Sequence, residues 1–457
     1  MNVTELSHAD WAAHPGRFIA LWTDAAHATA LYHPGELVRT ALIDGTYPAL
    51  AHPGAAWFQR FAHDLNGSIA TGAADTRPAV EQFRGADGTA TWPEFHAPKG
   101  EGVHQIAVGP IHAGIIEPGH FRFSVRGEQV LKLESRLGYS HKGTLALMRG
   151  KSPRLAARFA ARISGDATVA HSIAFAQAAE AALDLPIPAR AAALRAVMAE
   201  LERLANHTSD IGAIAGDAGF AFLDARFAVH RENFCAAAAA AFGHRLMMDM
   251  VIPGGVAADL RTGGDTAIIA ALDALEAELP SLTRVFEDYA SLQDRLVGTG
   301  IITPERAAAY AAGGVVGRAS GQAGDARLTP GYGVYPAIGL TVPVEQDGDV
   351  AARIRIRLAE IIESLRIVRA LLAQLPGDAI AVAPPAGTGI GLGVAESFRG
   401  PVWHYLALDS GTIAEVFVAD ASTLHWPLLE HAACTGIVAD FPLINKSVNA
   451  SYSGVDL

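Results

Sequence analysis

Cys235 and Cys434 are the only thiols in 457 residues. Two sulfurs cannot build a disulfide framework, a four-cysteine zinc site or a four-cysteine iron–sulfur site. Cys235 lies in an alanine run and Cys434 in an apolar stretch, so each reads as a small buried hydrophobe. His104, His112 and His120 recur every eight residues. That spacing suits no metal-binding helix face, and the three read as ordinary hydrogen-bonding histidines; no HExxH occurs. Gly387, Gly389, Gly391 and Gly393 alternate in GTGIGLG. A dinucleotide loop would need a third glycine at Leu392 or Val394, and no Walker lysine is present. The run is expected to be a turn, flexible or tightly packed.

The elements that must position any such groups follow from composition. Half of the residues are hydrophobic, 18% are charged, and mean hydropathy is +0.22. This is enough for a large core, and it suggests a surface partly covered by partners. Lysine and arginine number 35 against 47 acidic residues, for a net charge of −12. Nucleic acid is excluded as the main partner, because phosphate binding needs a basic face. No apolar run reaches the length of a membrane span, and no secretory signal is visible at the N-terminus. From these features the chain is expected to be soluble or peripheral and cytoplasmic, with an apolar surface able to dock onto membrane subunits.

Along the chain, β-like runs at Arg17–Trp22 and Ala28–Tyr32 precede an amphipathic helix at Ala55–Leu65. Gly85–Gly102 is rich in Gly, Pro and Thr and reads as a linker. His104–Glu134 alternates as a small sheet with Gly127 near a turn. Ser152–Ala312 is rich in Ala, Leu, Glu and Arg and is expected to be predominantly helical. Pro186 and Pro188 precede a helix at Ala189–Thr208, in which Leu194, Val197, Met198, Leu201 and Leu204 share one face. A further helix is expected at Val350–Leu375, and strands within Ile380–Ala421. The fold class is mainly α with small β-sheets (α+β): a helix bundle, 99–457, after a short α/β module, 1–98.

Several longer segments resemble one superfamily. They are Gly102–Gly143, Ala161–Glu180, Glu200–Phe220, HRENF from His230, GGV at Gly254–Val256, GRASG at Gly317–Gly321, ESFRG at Glu396–Gly400 and Asp440–Gly454. In this order they resemble the large subunit of membrane-associated (group 4) nickel–iron hydrogenases and its relative, the quinone-side large hydrophilic subunit of respiratory complex I. Trp57, Arg60 and the Asp64-Leu65-Asn66-Gly67 run resemble, in shortened form, the small hydrophilic complex I subunit.

The resemblance implies a site whose chemistry has changed. The family holds nickel and iron with four thiolates in two CxxC pairs, because soft sulfur suits those metals. The matching positions here are Ser164, Ala167, Ser451 and Gly454. Serine is a hard, undissociated substitute, and alanine and glycine offer no ligand, so no metal is expected. No cleavable extension of the kind many hydrogenases carry is expected after Leu457. The complex I quinone contacts, a histidine and a tyrosine, fall on Ile116 and Gly165, which leaves His112 and His120 as weak quinone candidates. Glu117, Asp217, Arg399 and His171 match polar groups of the family's pocket and form a candidate proton or acceptor site; the alternative is a buried structural network. The implied partners are a small iron–sulfur subunit, which would hold the cluster, and antiporter-like membrane subunits. No cofactor intrinsic to the chain is implied, with quinone as a candidate acceptor. Two functions follow. One is an oxidoreductase subunit without hydrogenase activity, passing electrons to quinone or another acceptor and coupled to ion translocation. The other is a non-catalytic subunit that keeps the scaffold of such a complex.

Overall fold

Short runs of apolar residues near the N-terminus build a sheet buried on both faces. The computed structural model describes residues 3–80, 95–96, 99–112 and 116–457. Strands β1 (Val3–Glu5), β2 (Phe18–Thr23), β3 (His27–Tyr32) and β4 (Glu36–Ala41) pair in the order β1-β4-β3-β2, with only β1 and β4 parallel. Helix α1 (Ala55–Asn66) lays Phe58 and Phe61 on this sheet and ends at Gly67, whose left-handed backbone closes the last turn. The boundary expected at 98/99 and most of the expected linker lie outside the described residues.

Residues 103–136 form an antiparallel meander of β5 (Val103–Val108), β6 (His120–Arg126) and β7 (Gln129–Arg136), with Gly127 in the second turn as expected. The bundle follows: α2 (Thr168–Ala182), α3 (Ala189–Asp217), α4 (Ala221–Phe242), α5 (Gly264–Asp288) and α6 (Val350–Ala373). Leu194, Val197, Met198, Leu201 and Leu204 are all buried in its main core, as their spacing requires. Fully burying a side chain of this size contributes about 1.5–3 kcal/mol. The chain ends with an antiparallel sheet of β8 (Gly389–Ser397), β9 (Gly400–Asp409) and β10 (Thr412–Ala419), then α7 (Ser422–Ala433) and α8 (Phe441–Val448). The class is the expected α+β. No helix among the described residues is long and apolar enough to cross a membrane.

The glycine run is not a turn. Gly389, Gly391 and Gly393 lie within β8, and α2 rides directly on that strand. A Cβ at these positions would strike the carbonyl oxygens of Ala182, Ala178 and Ala174 respectively. The alanine face of α2 and the glycines of β8 are thus two halves of one close helix–strand contact.

The N-terminal sheet shares a core with the C-terminal one. Trp22 stacks on Phe417 with centroids 4.9 Å apart and tilts against Tyr405 at 4.8 Å. Its indole Nε1 donates to Glu415 over 2.9 Å.

A charge network runs through the buried centre between α3, α6 and β8. Arg318 of the GRASG segment meets Glu360 at 2.7 Å, Glu396 at 2.9 Å and Asp325 at 3.3 Å. Arg327 meets Asp325 at 2.7 Å and Glu200 at 3.2 Å. Arg203 meets Glu200 at 3.2 Å, and His207 meets Glu360 at 2.8 Å. Four carboxylates thus face three guanidiniums and one imidazole. Burial, and then the Asp325 charge, push the Glu396 carboxyl above its ordinary range, whereas Arg318 and His207 hold Glu360 well below it against the effect of burial. Such a network needs every member satisfied, because an unpaired buried charge is costly.

Candidate functional site

The four positions matching the family's thiolates converge where the segment before α2 meets the C-terminal segment. Ser164 Oγ and Ser451 Oγ lie 3.0 Å apart, and the Gly454 amide donates to Ser451 Oγ over 2.9 Å. Ala167 caps the start of α2 and is fully buried. A Cβ on Gly454 would approach Asp420 Oδ2 at 2.7 Å and Ser451 Oγ at 2.9 Å. The donors here are two hydroxyls hydrogen-bonded to each other, beside a methyl group and a hydrogen. This set does not fit a nickel–iron centre, which takes four soft sulfurs. Among the described residues, no group of three or more His, Cys, Asp or Glu side chains is arranged to hold a metal ion.

Beside the serine pair runs a line of ionisable groups. His171, in the first turn of α2, places Nε2 3.1 Å from Asp420 Oδ2 and Nδ1 3.1 Å from His404 Nε2 on β9. Asp420 opens the β10–α7 connection and accepts from the Ser422 amide over 2.7 Å. Burial opposes its ionisation, but the hydrogen bonds from His171 and Ser422 and the charge of Arg399 keep its carboxyl below the usual range. Burial and the neighbouring His171 push His404 well below an ordinary histidine. His404 is therefore neutral near pH 7, and its buried Nδ1 has no hydrogen-bond partner among the described residues. Asp420, His171 and His404 thus form one continuous line of ionisable side chains.

Arg399 forms the other wall. Its guanidinium grips Asp166 through two 2.7 Å bonds and donates through Nε to the Asn449 carbonyl. The Asn449 side chain donates to Asp210 over 2.7 Å, and Asp210 is held in turn by Arg357 at 3.0 Å. A fork-to-fork pair of this kind fixes orientation as well as charge.

The structure brings Ser164, Ala167, Ser451, Gly454, His171 and Arg399 together. Glu117 lies at the edge, exposed, accepting from the Ser453 amide over 3.0 Å. Its carboxylate is not the partner of Arg399; Asp166 is. His112 lies near this edge, its ring 6.3 Å from that of Tyr452. His120 lies apart on β6, its ring 4.8 Å from that of Phe95. Asp217 is exposed at the C-terminal end of α3, near Lys446 and Asp224. The α3 carboxylate in the site is Asp210, seven residues earlier. Ile116 and Gly165 are both exposed. Asp166, Asp210, His404, Asp420 and Asn449 escaped the sequence reading. The only local signal was the Asp-x-Ser pattern at 420–422, which is helix-start chemistry.

Comparison with known proteins identifies the relatives of this chain. Residues 217–388 match the family described as the 49 Kd subunit of respiratory-chain NADH dehydrogenase, and residues 142–210 match the nickel-dependent hydrogenase family. Formate hydrogenlyase subunit 5 of Escherichia coli (strain K12) is 29% identical, over 90% of this chain and 77% of that protein. An NAD(P)H-quinone oxidoreductase subunit of a Synechococcus strain is 30% identical, over 60% of this chain and 69% of that protein. A chain of the membrane-bound sulfane sulfur reductase, an archaeal respiratory membrane complex, superposes with a TM-score of 0.73 at 23% identity, over 79% of this chain and all of that one. That likeness establishes the shared fold. The chain belongs to the family of large subunits common to membrane-bound hydrogenase complexes and complex I-type quinone oxidoreductases.

Proposed function

We propose that this chain is the large peripheral subunit of a membrane-associated, complex I-like oxidoreductase that carries no nickel–iron centre and handles protons at the corresponding position. One observation carries this reading: the Asp420–His171–His404 line lies against the Ser164–Ser451 pair, where the family's metal would sit. Electrons reach the site from an iron–sulfur cluster in a small partner subunit and pass to a quinone or another acceptor. A quinone that takes two electrons also takes two protons, and a buried carboxylate–imidazole chain is suited to deliver them. Antiporter-like membrane subunits would couple the reaction to ion translocation. The implied location is peripheral, on the cytoplasmic face of the membrane.

The complex purified with its partners tests this. Elemental analysis should find less than about 0.1 nickel per chain, and reduced cluster signals should be reoxidised by a quinone. His171→Ala should slow that reoxidation by about a hundredfold to ten-thousandfold, the range expected for losing a positioned proton carrier. Absence of a reducible cluster would sink the reading.

The second reading, a non-catalytic scaffold subunit, is favoured by one fact: Ser164, Ser451 and Asp420 fill the site, with Asp420 occupying the space a Gly454 side chain would need. It requires that His171→Ala and Asp420→Asn leave reoxidation rates unchanged.

A further inference from the structure

On the far side of α2 from the serine pair lies a cavity of about 360 Å³, between α2, the start of α3 and the 332–335 segment. It is large enough for a small organic molecule. Ile173, Ile187, Ala192, Ala196 and Val334 supply an apolar lining. The charged pair at its edge is already satisfied: Arg195 holds Glu180 through bonds of 3.0 and 2.5 Å and also donates to the carbonyls of Ile252 and Gly255. The pocket therefore offers a ligand no net charge.

It offers two donors instead. Gln177 Oε1 accepts from the Val394 amide over 3.2 Å, and no protein group among the described residues accepts from its Nε2. The Tyr332 hydroxyl accepts from the Glu396 amide over 3.0 Å, and its own O–H has no acceptor there. Both side chains cap amides of β8 two residues apart, and those amides lie about 6–7 Å from one another along the strand. Half-buried donors beside an apolar wall favour a molecule with matching acceptors, because leaving them unpaired beside such a wall loses free energy.

We infer that this cavity is a binding site for an uncharged, amphipathic molecule of about one substituted ring, recognised through carbonyl-type acceptors by Gln177 Nε2 and the Tyr332 hydroxyl. The ligand would touch the segment that reaches the central charge network, since Tyr335 Oη donates to Glu200 over 2.7 Å and Tyr332 caps the amide of Glu396. Occupancy would thus stiffen one wall of that network.

Fluorine NMR on the full chain in its complex tests the proposal with two probes of equal shape. 4′-Fluoroacetophenone carries an acceptor, and 4-fluoroethylbenzene does not. The ketone should bind saturably and roughly threefold to tenfold tighter, the ratio expected for one added hydrogen bond. Gln177→Glu keeps the bond from Val394 but replaces the donor, and it should remove most of that preference. Ala192→Trp fills the cavity and should abolish binding of both probes. Should the tryptophan variant fail to fold, the Gln177→Glu ratio decides alone. Equal affinities for the two probes, no saturable binding of either, or unaltered binding in a folded Ala192→Trp chain would each overturn the assignment.

Discussion

Replacing Arg318 by methionine tests whether the buried charge network acts as one unit. Methionine keeps the apolar stem and removes the guanidinium, which lies within 2.7–3.3 Å of Glu360, Glu396 and Asp325. Four carboxylates are then left with Arg203, Arg327 and His207. Removing one partner of a buried ion pair costs about 3–5 kcal/mol, and the loss here falls at the upper end because three carboxylates lose contact at once. The damage should depend on pH. Glu396 already sits above its ordinary range, and without Arg318 its folded-state pKa rises further. Between the unfolded value, about 4.3, and that raised value, the folded chain binds a proton that the unfolded chain does not. The stability of the variant therefore falls as pH rises through this window, by up to about 1.4 kcal/mol per unit. Adding Glu396→Gln removes the charge that Arg318 no longer balances. The double variant should recover about 2 kcal/mol relative to the sum of the two single changes, within the usual range for directly coupled residues, and it should lose the pH slope. Urea unfolding of the four proteins of the cycle, measured at pH 5, 6, 7 and 8, gives both quantities. Additive single and double variants, or a pH-independent Arg318→Met chain, would show that the network is a set of independent pairs and refute the reasoning.

Other expectations are simpler. Gly391→Val must push α2 off β8 and should destabilise the chain by about 3 kcal/mol or more, whereas valine at the exposed Gly377, where an added Cβ meets open space, should cost less; urea midpoints compare the two. Ser164→Cys with Ser451→Cys places two thiols where the hydroxyls lie 3.0 Å apart, so a mild oxidant should cross-link them and shift mobility on a non-reducing gel. Burial raises the Asp456 carboxyl to about 6 although it accepts from the Gly138 and Ser140 amides. The stability it contributes is present at low pH and lost between about pH 4 and 6, a slope that Asp456→Asn should flatten in unfolding curves.

Helices and strands were legible where apolar residues run together or recur at a regular spacing. The expected Ala55–Leu65 helix spans Ala55–Asn66, and the expected Val350–Leu375 helix spans Val350–Ala373. The helix expected to stop at Thr208 continues to Asp217 through Gly212 and Gly216, whose missing side chains let Asp224 of α4 pack close. That is a tertiary reason, and local propensity does not carry it. The glycine run misled for a similar cause: alternating glycines look like a loop until an alanine helix is found lying on them. In the site, the matched segments located Ser164, Ser451, His171 and Arg399, because these occupy fixed offsets within motifs. Asp217 and Asp210 differ by seven residues, nearly two turns, and so share a face of α3. Only the partner side chains, Asn449 and Arg357, separate the acid in the site from one about 10 Å further along the axis. Asp420 and His404 lie more than 230 positions from His171, and no spacing rule reaches that far.

The shared core between the N-terminal and C-terminal sheets has a consequence for how the protein responds to dilution. Trp22, Tyr405 and Phe417 would form a good interface between separate chains. Here one covalent chain carries both faces, so docking is unimolecular, at an effective concentration on the order of millimolar set by the connecting segment and not by cellular abundance. The N-terminal sheet therefore stays docked at protein levels where a separate chain with the same contacts would dissociate.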